Sequence, residues 1–346
     1  MQKLIIIDGA ALLARCYHGN LPLAYKKAKT EEEKKELEKY ILQCDGIYTN
    51  GVFNFMKTVE KIITEQKPTH MAITFDATRN TFRKEMYPNY KGTRKESSAP
   101  FKQQKQMLPI MLSDMGFKVF MSNSDNPATT VEGDDLIGSL CNQFKSDINI
   151  SVYTNDHDML QLVGPGVNVW LDVRSHEKAE TMFYEYTQGV DEMTLSSLNI
   201  PKNVFPFARE SVKWDMGVYP ELVPALKGLA GDTSDNIPGV KGVSKIAVPL
   251  LNHYGSIEGI FNAVNTIDEK ELKEEWKKIG ITRPNIKPFL AEGAKESAVL
   301  SEKLATIITT LKFNIALDDL KINVNLAERK RWYEKLRFKS FLYETA

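Results

Sequence analysis

Four short, mostly apolar runs divide the first half of the chain. They are Lys3–Asp8, His70–Asp76, Lys118–Met121 and Asn149–Thr154. Runs of this length indicate strands that are covered on both faces, as in a parallel sheet. A polar or helix-prone stretch follows each run, and this alternation is typical of a doubly wound α/β sheet. Functional residues of such sheets lie just beyond the carboxyl ends of the strands, where Asp8, Asp76 and Asp156 occur.

The second half of the chain has a different pattern. From Tyr219 onward it is mostly helix-prone, with glycine-containing turns at Gly239–Gly242 and Gly255. Two further segments, Glu31–Gln43 and Val190–Lys213, lack a strong apolar face or a clear period and are interpreted as insertions. The pattern therefore predicts an α/β domain followed by a second, helical module.

Composition is that of an ordinary soluble protein. Of 346 residues, 42% are apolar and 26% are charged. The apolar run near the start is far shorter than the roughly 20 residues that span a membrane, so we expect a cytoplasmic protein without a membrane partner. Three cysteines outside any metal-binding spacing suit a reducing compartment and indicate neither disulfides nor zinc.

Charge is unevenly distributed although the net charge is zero, with 45 basic and 45 acidic residues. The segment Arg79–Lys105 contains eight Lys or Arg and two Glu, together with Phe82, Tyr87 and Tyr90. Basic groups neutralise phosphates and aromatic faces stack on unpaired bases, so the segment suits a grip on single-stranded nucleic acid. A solvated basic loop is the alternative. Lys91 and Arg94 are candidates for contact with a scissile phosphate.

Acidic residues gather in three short motifs. The sequence EGDD supplies Glu132, Asp134 and Asp135 at the start of an amphipathic helix, where acids also complement the helix dipole. Asp156 and Asp158 follow a predicted buried strand, and a simple helix cap needs one acid there rather than two. Asp232 and Asp235 lie in GDTSDNIPG, which is also compatible with a self-capped turn.

Nine carboxylates converging on one rim would repel each other unless cations were present. The predicted cluster comprises Asp8, Asp76, Glu132, Asp134, Asp135, Asp156, Asp158, Asp232 and Asp235. Mg²⁺ and Mn²⁺ prefer carboxylate and water oxygens, and two such ions about 4 Å apart promote hydrolysis of phosphate esters. The sequence therefore predicts a two-metal hydrolytic centre.

These motifs together resemble the 5′-to-3′ exonuclease and flap endonuclease family, which includes the nuclease domain of bacterial DNA polymerase I and stand-alone phage 5′ nucleases. The motifs that carry the resemblance are IDG at Asp8, DGIYTNGVFNF at Asp45–Phe55, FRKEMYPNYKGTR at Phe82–Arg94, EGDDLIG at Glu132–Gly138, TNDHDMLQLV at Thr154–Val163, GLAGDTSDNIPGVKGV at Gly228–Val243, HYGSIEGI at His253–Ile260 and LSEKLATI at Leu300–Ile307. They extend over most of the chain.

The resemblance implies an organisation. A mostly parallel, PIN-like α/β catalytic core would occupy residues 1–190, with a basic arch at about 79–105. A helical DNA-binding module would occupy residues 191–346, with a helix-three-turn-helix at about 228–262. The implied enzyme is a structure-specific 5′ nuclease acting in replication or repair on DNA with a free 5′ end, such as a flap, fork or nicked duplex, and on RNA primers paired with DNA. A monomer is expected.

The resemblance also implies roles for individual residues. Asp8, Asp76, Glu132 and Asp134 match ligands of a first metal ion, and Asp156, Asp158 and Asp232 match a second site that Asp134 bridges. Asp135 and Asp235 match further acids of the cluster. The residues implied to contact DNA are Arg79, Arg83, Tyr90, Lys91, Arg94, Gly239, Gly242 and Lys245. A potassium ion is implied at the glycine turn, although the segment Val243–Ala247 is one residue shorter than the usual family pattern and lacks its second glycine.

Three alternatives are open at this point. A non-catalytic DNA-junction binder could have the same fold, but all nine acids are present. A PIN-like RNA nuclease would share the carboxylate-lined core without needing the helical module. A phosphatase of small substrates would not need the basic aromatic segment, and no P-loop sequence supports nucleotide hydrolysis.

Overall fold

The computed structural model describes residues 2–78, 80–122, 130–173, 175–186, 201 and 203–343, with a six-stranded sheet at its centre. The strands are β1 Lys3–Asp8, β2 Gln43–Cys44, β3 Ile47–Tyr48, β4 His70–Phe75, β5 Lys118–Met121, β6 Asn149–Thr154, β7 Val167–Asp172 and β8 Val204–Phe207. The sheet order is β5-β4-β1-β6-β7-β8, and β2 pairs with β3 separately. Only the β7–β8 pair in the large sheet is antiparallel. The four predicted strands are confirmed.

Helices connect the strands and build the second half of the chain. They are α1 Gly9–Gly19, α2 Leu23–Lys27, α3 Glu31–Leu37, α4 Asn50–Gln66, α5 Phe82–Met86, α6 Ala99–Asp114, α7 Gly133–Phe144, α8 His176–Tyr186, α9 Arg209–Met216, α10 Val223–Ala230, α11 Ser244–Tyr254, α12 Ile257–Thr266, α13 Glu269–Lys278, α14 Lys287–Leu290, α15 Ala294–Ala305, α16 Leu326–Lys335 and α17 Lys339–Tyr343. The expected mostly parallel α/β core and helical module are confirmed. Among the described residues, no helix is long and apolar enough to cross a membrane.

Strand β1 explains why both faces of the sheet are covered. Successive side chains of a strand point to opposite faces. Leu4 and Ile6 pack into a core that continues into α7 and the helices α10–α15, whereas Ile5 and Ile7 pack against α1, α4 and α6. All four side chains are fully buried, and each contributes about 1.5–3 kcal/mol relative to exposure. An unbroken apolar run is therefore required at this position.

Contacts in the structure cross the predicted boundary at residue 190. Strand β8, at residues 204–207, completes the sheet beyond that boundary. Near the carboxyl terminus, Trp332 and Tyr333 return to the core around Ile5, where Trp332 donates to Asp114 at 3.0 Å and Tyr333 donates to Glu60 at 2.6 Å. The described part of the predicted insertion 190–213 is thus strand β8 and the first part of α9, and the last helices pack on the α/β core.

Candidate active site

Four carboxylates meet at the carboxyl edge of the sheet. Asp8 ends β1, Asp76 follows β4 and Asp156 follows β6, while Asp134 lies in the first turn of α7. Hydrogen bonds hold the side chains of Asp8, Asp76 and Asp156. Asp8 accepts from Ala11 N at 2.9 Å and from Thr154 Oγ1 at 2.8 Å. Asp76 accepts from Gly133 N at 2.6 Å, and Asp156 from Asp158 N at 2.9 Å. We call these four residues the strand-end acids.

The strand-end acids repel each other electrostatically. Burial, together with the Asp156 and Asp76 carboxylates, raises the pKa of Asp8 to about 7. Burial and the charges of Asp156 and Asp8 likewise raise the pKa of Asp134 well above its usual range. Within the described ranges, no Lys, Arg or His forms an ion pair with any of the four; the neighbouring ion pairs all involve other acids. The group therefore has uncompensated negative charge that a bound cation would relieve.

The other five predicted acids form ion pairs with basic side chains of the protein. Each pairs with a basic side chain: Glu132 with Lys91, Asp135 with Arg83, Asp158 and Asp232 with Lys227, and Asp235 with Arg94. Across the part of the chain that is described, no three His, Cys, Asp or Glu side chains converge on a single metal-binding point. Among the described residues, the nine acids are thus divided into four that form no ion pair and five that do.

Asp135 is held by contacts within the protein. Its two oxygens receive a bidentate contact from Arg83 at 2.7 and 2.8 Å. They also accept from Glu132 N at 2.9 Å and Ile308 N at 2.8 Å, so the carboxylate has no free ligand position. The residue is fully buried and joins α5, α7 and the segment after α15. In this arrangement Asp135 holds together the elements around the site, and its role as a metal ligand stays a prediction.

Arg83 is correspondingly wrong as a predicted DNA contact. Its side chain is 2% exposed, and it also donates to Leu304 O at 2.9 Å and Thr306 O at 2.7 Å. A buried guanidinium that donates four of its five N–H groups to partners inside the protein is not placed to reach a phosphate. Sequence reasoning placed Arg83 in the basic segment correctly but could not know that it faces inward.

Tyr90 is also buried and does not present a stacking surface. It is 3% exposed, and its hydroxyl donates to Glu132 and Asp235 at 3.2 Å each. The adjacent Lys91 Nζ lies 2.7 Å from Glu132 Oε2, and Lys91 N donates to Asp235 O at 2.8 Å. The basic segment is therefore docked on the Asp232–Asp235 turn, and the prediction that Tyr90 stacks on a nucleotide is wrong for this arrangement.

Lys91 and Arg94 remain at the open side of the site. The Lys91 side chain is 24% exposed, and the charges of Glu132 and Asp235 raise its pKa well above the usual range despite burial. Arg94 is 47% exposed and its Nη2 lies 2.5 Å from Asp235 Oδ1. The charge of Lys91 thus acts on Asp134, whereas Arg94 contacts Asp235.

Lys227 is a site residue that the sequence interpretation missed. It projects from α10, and its ammonium pairs with Asp158 and with Asp232, the latter at 2.5 Å. Although burial opposes it, hydrogen bonds from Lys227 and Ser234 lower the pKa of Asp232 to about 2. Lys227 lies only five residues before Asp232 in the sequence, but nothing in the sequence indicates its contact with Asp158.

The remaining predicted DNA contacts differ in accessibility. Gly239 is buried at a φ of 61°, and its amide donates to Ser301 Oγ at 3.0 Å, so the predicted phosphate contact through this amide is wrong. Gly242 and Lys245 are exposed at the turn before and the start of α11. Their role stays a prediction, and Arg79 lies outside the described residues.

A parallel sheet with acids at its strand ends and a basic segment beside them, followed by a helical module, fits a metal-dependent nuclease. The sequence profiles of two domains match this chain: the 5′-3′ exonuclease N-terminal resolvase-like domain over residues 3–193 and the 5′-3′ exonuclease C-terminal SAM fold over residues 218–328. The chain belongs to the 5′-3′ exonuclease family, as the motifs indicated.

Curated relatives include bacterial DNA polymerases I. The Bacillus caldotenax protein is 29% identical over 344 residues, covering 99% of this chain and 32% of the relative. The Caldicellulosiruptor bescii protein is 30% identical over 346 residues, covering 99% and 33% respectively. This chain thus spans about a third of the length of these relatives.

Two solved structures have a similar fold. T5 5′-exonuclease with bound zinc ions gives a TM-score of 0.57 at 16% identity, covering 89% of this chain and 90% of that one. The catalytic core of Rad2 in complex with DNA substrate gives 0.53 at 12% identity, covering 97% and 87%. At these identities the likeness establishes a shared fold.

Proposed function

We propose that this chain is a structure-specific 5′ nuclease with 5′-to-3′ exonuclease and flap endonuclease activity. It hydrolyses phosphodiesters of DNA, and of RNA primers paired with DNA, during replication or repair. The observation that carries the proposal is the group of strand-end acids, which forms no ion pair with a described basic residue, together with Lys91 near Asp134 and Arg94 on Asp235. Membership of the 5′-3′ exonuclease family supports it independently.

Divalent ions fit the strand-end acids. Carboxylate oxygens are the donors that Mg²⁺ prefers, and two buried or half-buried carboxylates with raised pKa values are a favourable environment for a cation. Asp8, Asp76, Asp134 and Asp156 would hold Mg²⁺, for which Mn²⁺ can substitute, and Asp158 with Asp232 would contribute to a second position. When bound, the ions supply Lewis acidity toward a phosphodiester and acidify coordinated water. The zinc-bound structure of T5 5′-exonuclease supports a divalent-ion requirement.

Lys91 and Arg94 act on the scissile phosphate in this proposal. Both side chains reach the site from the basic segment and are held by Glu132 and Asp235, which fixes their positions before substrate arrives. An ammonium and a guanidinium donate charge-assisted hydrogen bonds to non-bridging oxygens, and such bonds strengthen as charge develops during cleavage. The charges of Glu132 and Asp235 raise the pKa of both side chains and keep them protonated, so they act as hydrogen-bond donors and not as acids or bases.

Duplex binding is assigned to the helical module. Helix α11 begins at Ser244 without a side-chain cap, and its first amides together with exposed Lys245 suit a DNA phosphate. Gly242 allows close approach at the preceding turn, where its φ is 86°. The complex of Rad2 with DNA substrate supports DNA as the ligand. A potassium ion at this turn, a cytoplasmic location and a monomeric state are further parts of the proposal.

A flap duplex labelled separately at its 5′ and 3′ ends tests this function. With Mg²⁺ we expect cuts near the flap junction, and with EDTA we expect none. Mapping both labels separates endonucleolytic cuts from stepwise release of nucleotides. No cleavage combined with tight junction binding would instead indicate a non-catalytic DNA-junction binder, and cleavage of single-stranded RNA alone would indicate an RNA nuclease.

A further inference from the structure

Lys227 lies between two acids on separate elements of the fold. Its Nζ pairs with Asp158 Oδ1 and lies 2.5 Å from Asp232 Oδ2. We propose that this ammonium is the resident cation of the second metal position, and that a second divalent ion binds between Asp158 and Asp232 only by displacing it. The inference rests on the proposed function, because it takes these two acids as metal ligands.

The two carboxylates are fixed, whereas the lysine is able to move. Asp158 lies on the short 3-10 helix His157–Leu162 after β6. Asp232 lies in a turn closed by reciprocal backbone hydrogen bonds with Ile237, at 2.9 and 2.7 Å. Ser234 occupies the other Asp232 oxygen, with N at 2.7 Å and Oγ at 2.6 Å, so Oδ2 is directed to Lys227. A flexible four-carbon stem joins the ammonium to α10, and rotation of that stem would vacate the position.

Burial makes a counter-ion necessary at this position. The side chains of Lys227, Asp158 and Asp232 are only 13%, 16% and 15% exposed. Two carboxylates sheltered from water need a cation nearby, and one ammonium offsets one of their two charges. A divalent ion would offset both, so exchange is favourable once such an ion is abundant. Among the described residues, no Lys, Arg or His forms an ion pair with the strand-end acids that a metal ion would have to break.

A simpler role would be purely structural. Lys227 could serve only to join the 3-10 helix to the Asp232 turn, as ion pairs often do. In that case its removal would lower stability equally with and without metal, and metal affinity would stay constant or fall. The displacement proposal predicts a higher metal affinity instead, because loss of the ammonium leaves two uncompensated carboxylates that attract the ion more strongly.

The test is a metal titration without DNA. Free Mn²⁺ would be followed by electron paramagnetic resonance for the wild-type chain and for Lys227→Met and Lys227→Gln. The exposed Lys303, on α15 of the same half of the chain, provides the matched control Lys303→Met. We expect the weaker class of Mn²⁺ sites to tighten about tenfold or more in both Lys227 variants, since unit charges a few ångströms apart interact at least this strongly. The control should match the wild type.

Thermal unfolding of the same proteins gives a second measurement. Both Lys227 variants should melt below the wild type in EDTA and regain most of that difference in Mn²⁺. A variant recovered folded only with Mn²⁺ supports the proposal too, because the ion then replaces the missing charge. For the wild type, saturating Mn²⁺ should increase acetylation of Lys227 relative to Lys303, as measured by peptide mass spectrometry.

Unchanged or weaker Mn²⁺ affinity in folded Lys227 variants would overturn the displacement proposal and leave the proposed nuclease function intact. Variants that fail to fold even with Mn²⁺, together with unaltered Lys227 acetylation in the wild type, would overturn it as well. If the wild-type chain bound no Mn²⁺ at all, both this inference and the proposed metal-dependent function would fail.

Discussion

Replacement of Arg83 by Met should destabilise the fold severely. The guanidinium is 2% exposed and makes a bidentate contact with Asp135, which is itself fully buried. Arg83→Met would leave that carboxylate without a cation and would leave the carbonyls of Leu304 and Thr306 without their donor. Breaking a buried ion pair by removal of one partner costs about 3–5 kcal/mol. We therefore expect a loss of about 4 kcal/mol in the free energy of unfolding.

Urea unfolding followed by circular dichroism measures this loss, and the chain contains a matched control. Arg209 makes the same bidentate geometry with Glu221, at 2.8 and 2.6 Å, but the two side chains are 49% and 55% exposed. Exposed pairs contribute about 1 kcal/mol or less, so Arg209→Met should be nearly neutral. Equal losses for the two variants would refute the buried-pair reasoning.

A double substitution separates the contribution of the ion pair from the cost of leaving one buried charge without a partner. Arg83→Met with Asp135→Leu removes both charges, and the combined loss should be smaller than that of Arg83→Met alone, because no isolated charge stays buried. If Arg83 were instead a DNA contact, as its place in the basic segment suggested, Arg83→Met would weaken DNA binding and leave the urea midpoint unchanged.

Three further outcomes are expected. Lys91→Met should lower the single-turnover cleavage rate about 100-fold, since one charge-assisted donor is lost from the developing charge; an unchanged rate would remove Lys91 from the active site. Gly239→Ala should cost about 3 kcal/mol in thermal unfolding, because a Cβ would lie 2.3 Å from Gly231 N at a positive φ. Gly255→Ala has a similar φ but open space, and should cost about 1–2 kcal/mol; equal costs would contradict the steric argument. Mg²⁺ at 100 times its dissociation constant should stabilise the chain by about 2.7 kcal/mol, and EDTA should reverse this; no shift would argue against a metal site.

Much of the catalytic half could be predicted from the sequence because its signals are local. Runs such as Leu4–Ile7 have no polar face, so they fit only a strand covered on both sides. Parallel strands end at one edge, and this brings Asp8, Asp76 and Asp156 together although they are far apart in the chain. Asp134, in the first turn of α7, joins them at this edge.

The parts that were missed depend on partners distant in sequence. Arg83 and Tyr90 look like surface residues of a basic loop until Asp135 and Asp235 are placed beside them. Lys227 has no acidic neighbour at helical spacing, and its contact with Asp158 crosses 69 positions. Nothing in a linear pattern indicates which Lys and Arg side chains pair with which acids.

The contacts that cross the predicted boundary at residue 190 were missed for a related reason. Strand β8 is only four residues long and contains Pro206, which disfavours a strand assignment except at the edge of a sheet, where β8 lies. The packing of Trp332 and Tyr333 against the core could not be predicted either, since the sequence of a charged helix with a few aromatic residues does not indicate which surface it covers.

The central claim is that the strand-end acids hold the metal ions that support cleavage, and Asp134→Asn tests it most directly. The substitution keeps the size of the side chain and removes one charge from the buried group. Single-turnover cleavage of a labelled flap duplex in Mg²⁺ would be measured beside binding of the same duplex by fluorescence anisotropy in Ca²⁺. We predict cleavage reduced to background with duplex affinity close to that of the wild type. Normal cleavage by Asp134→Asn would contradict the account.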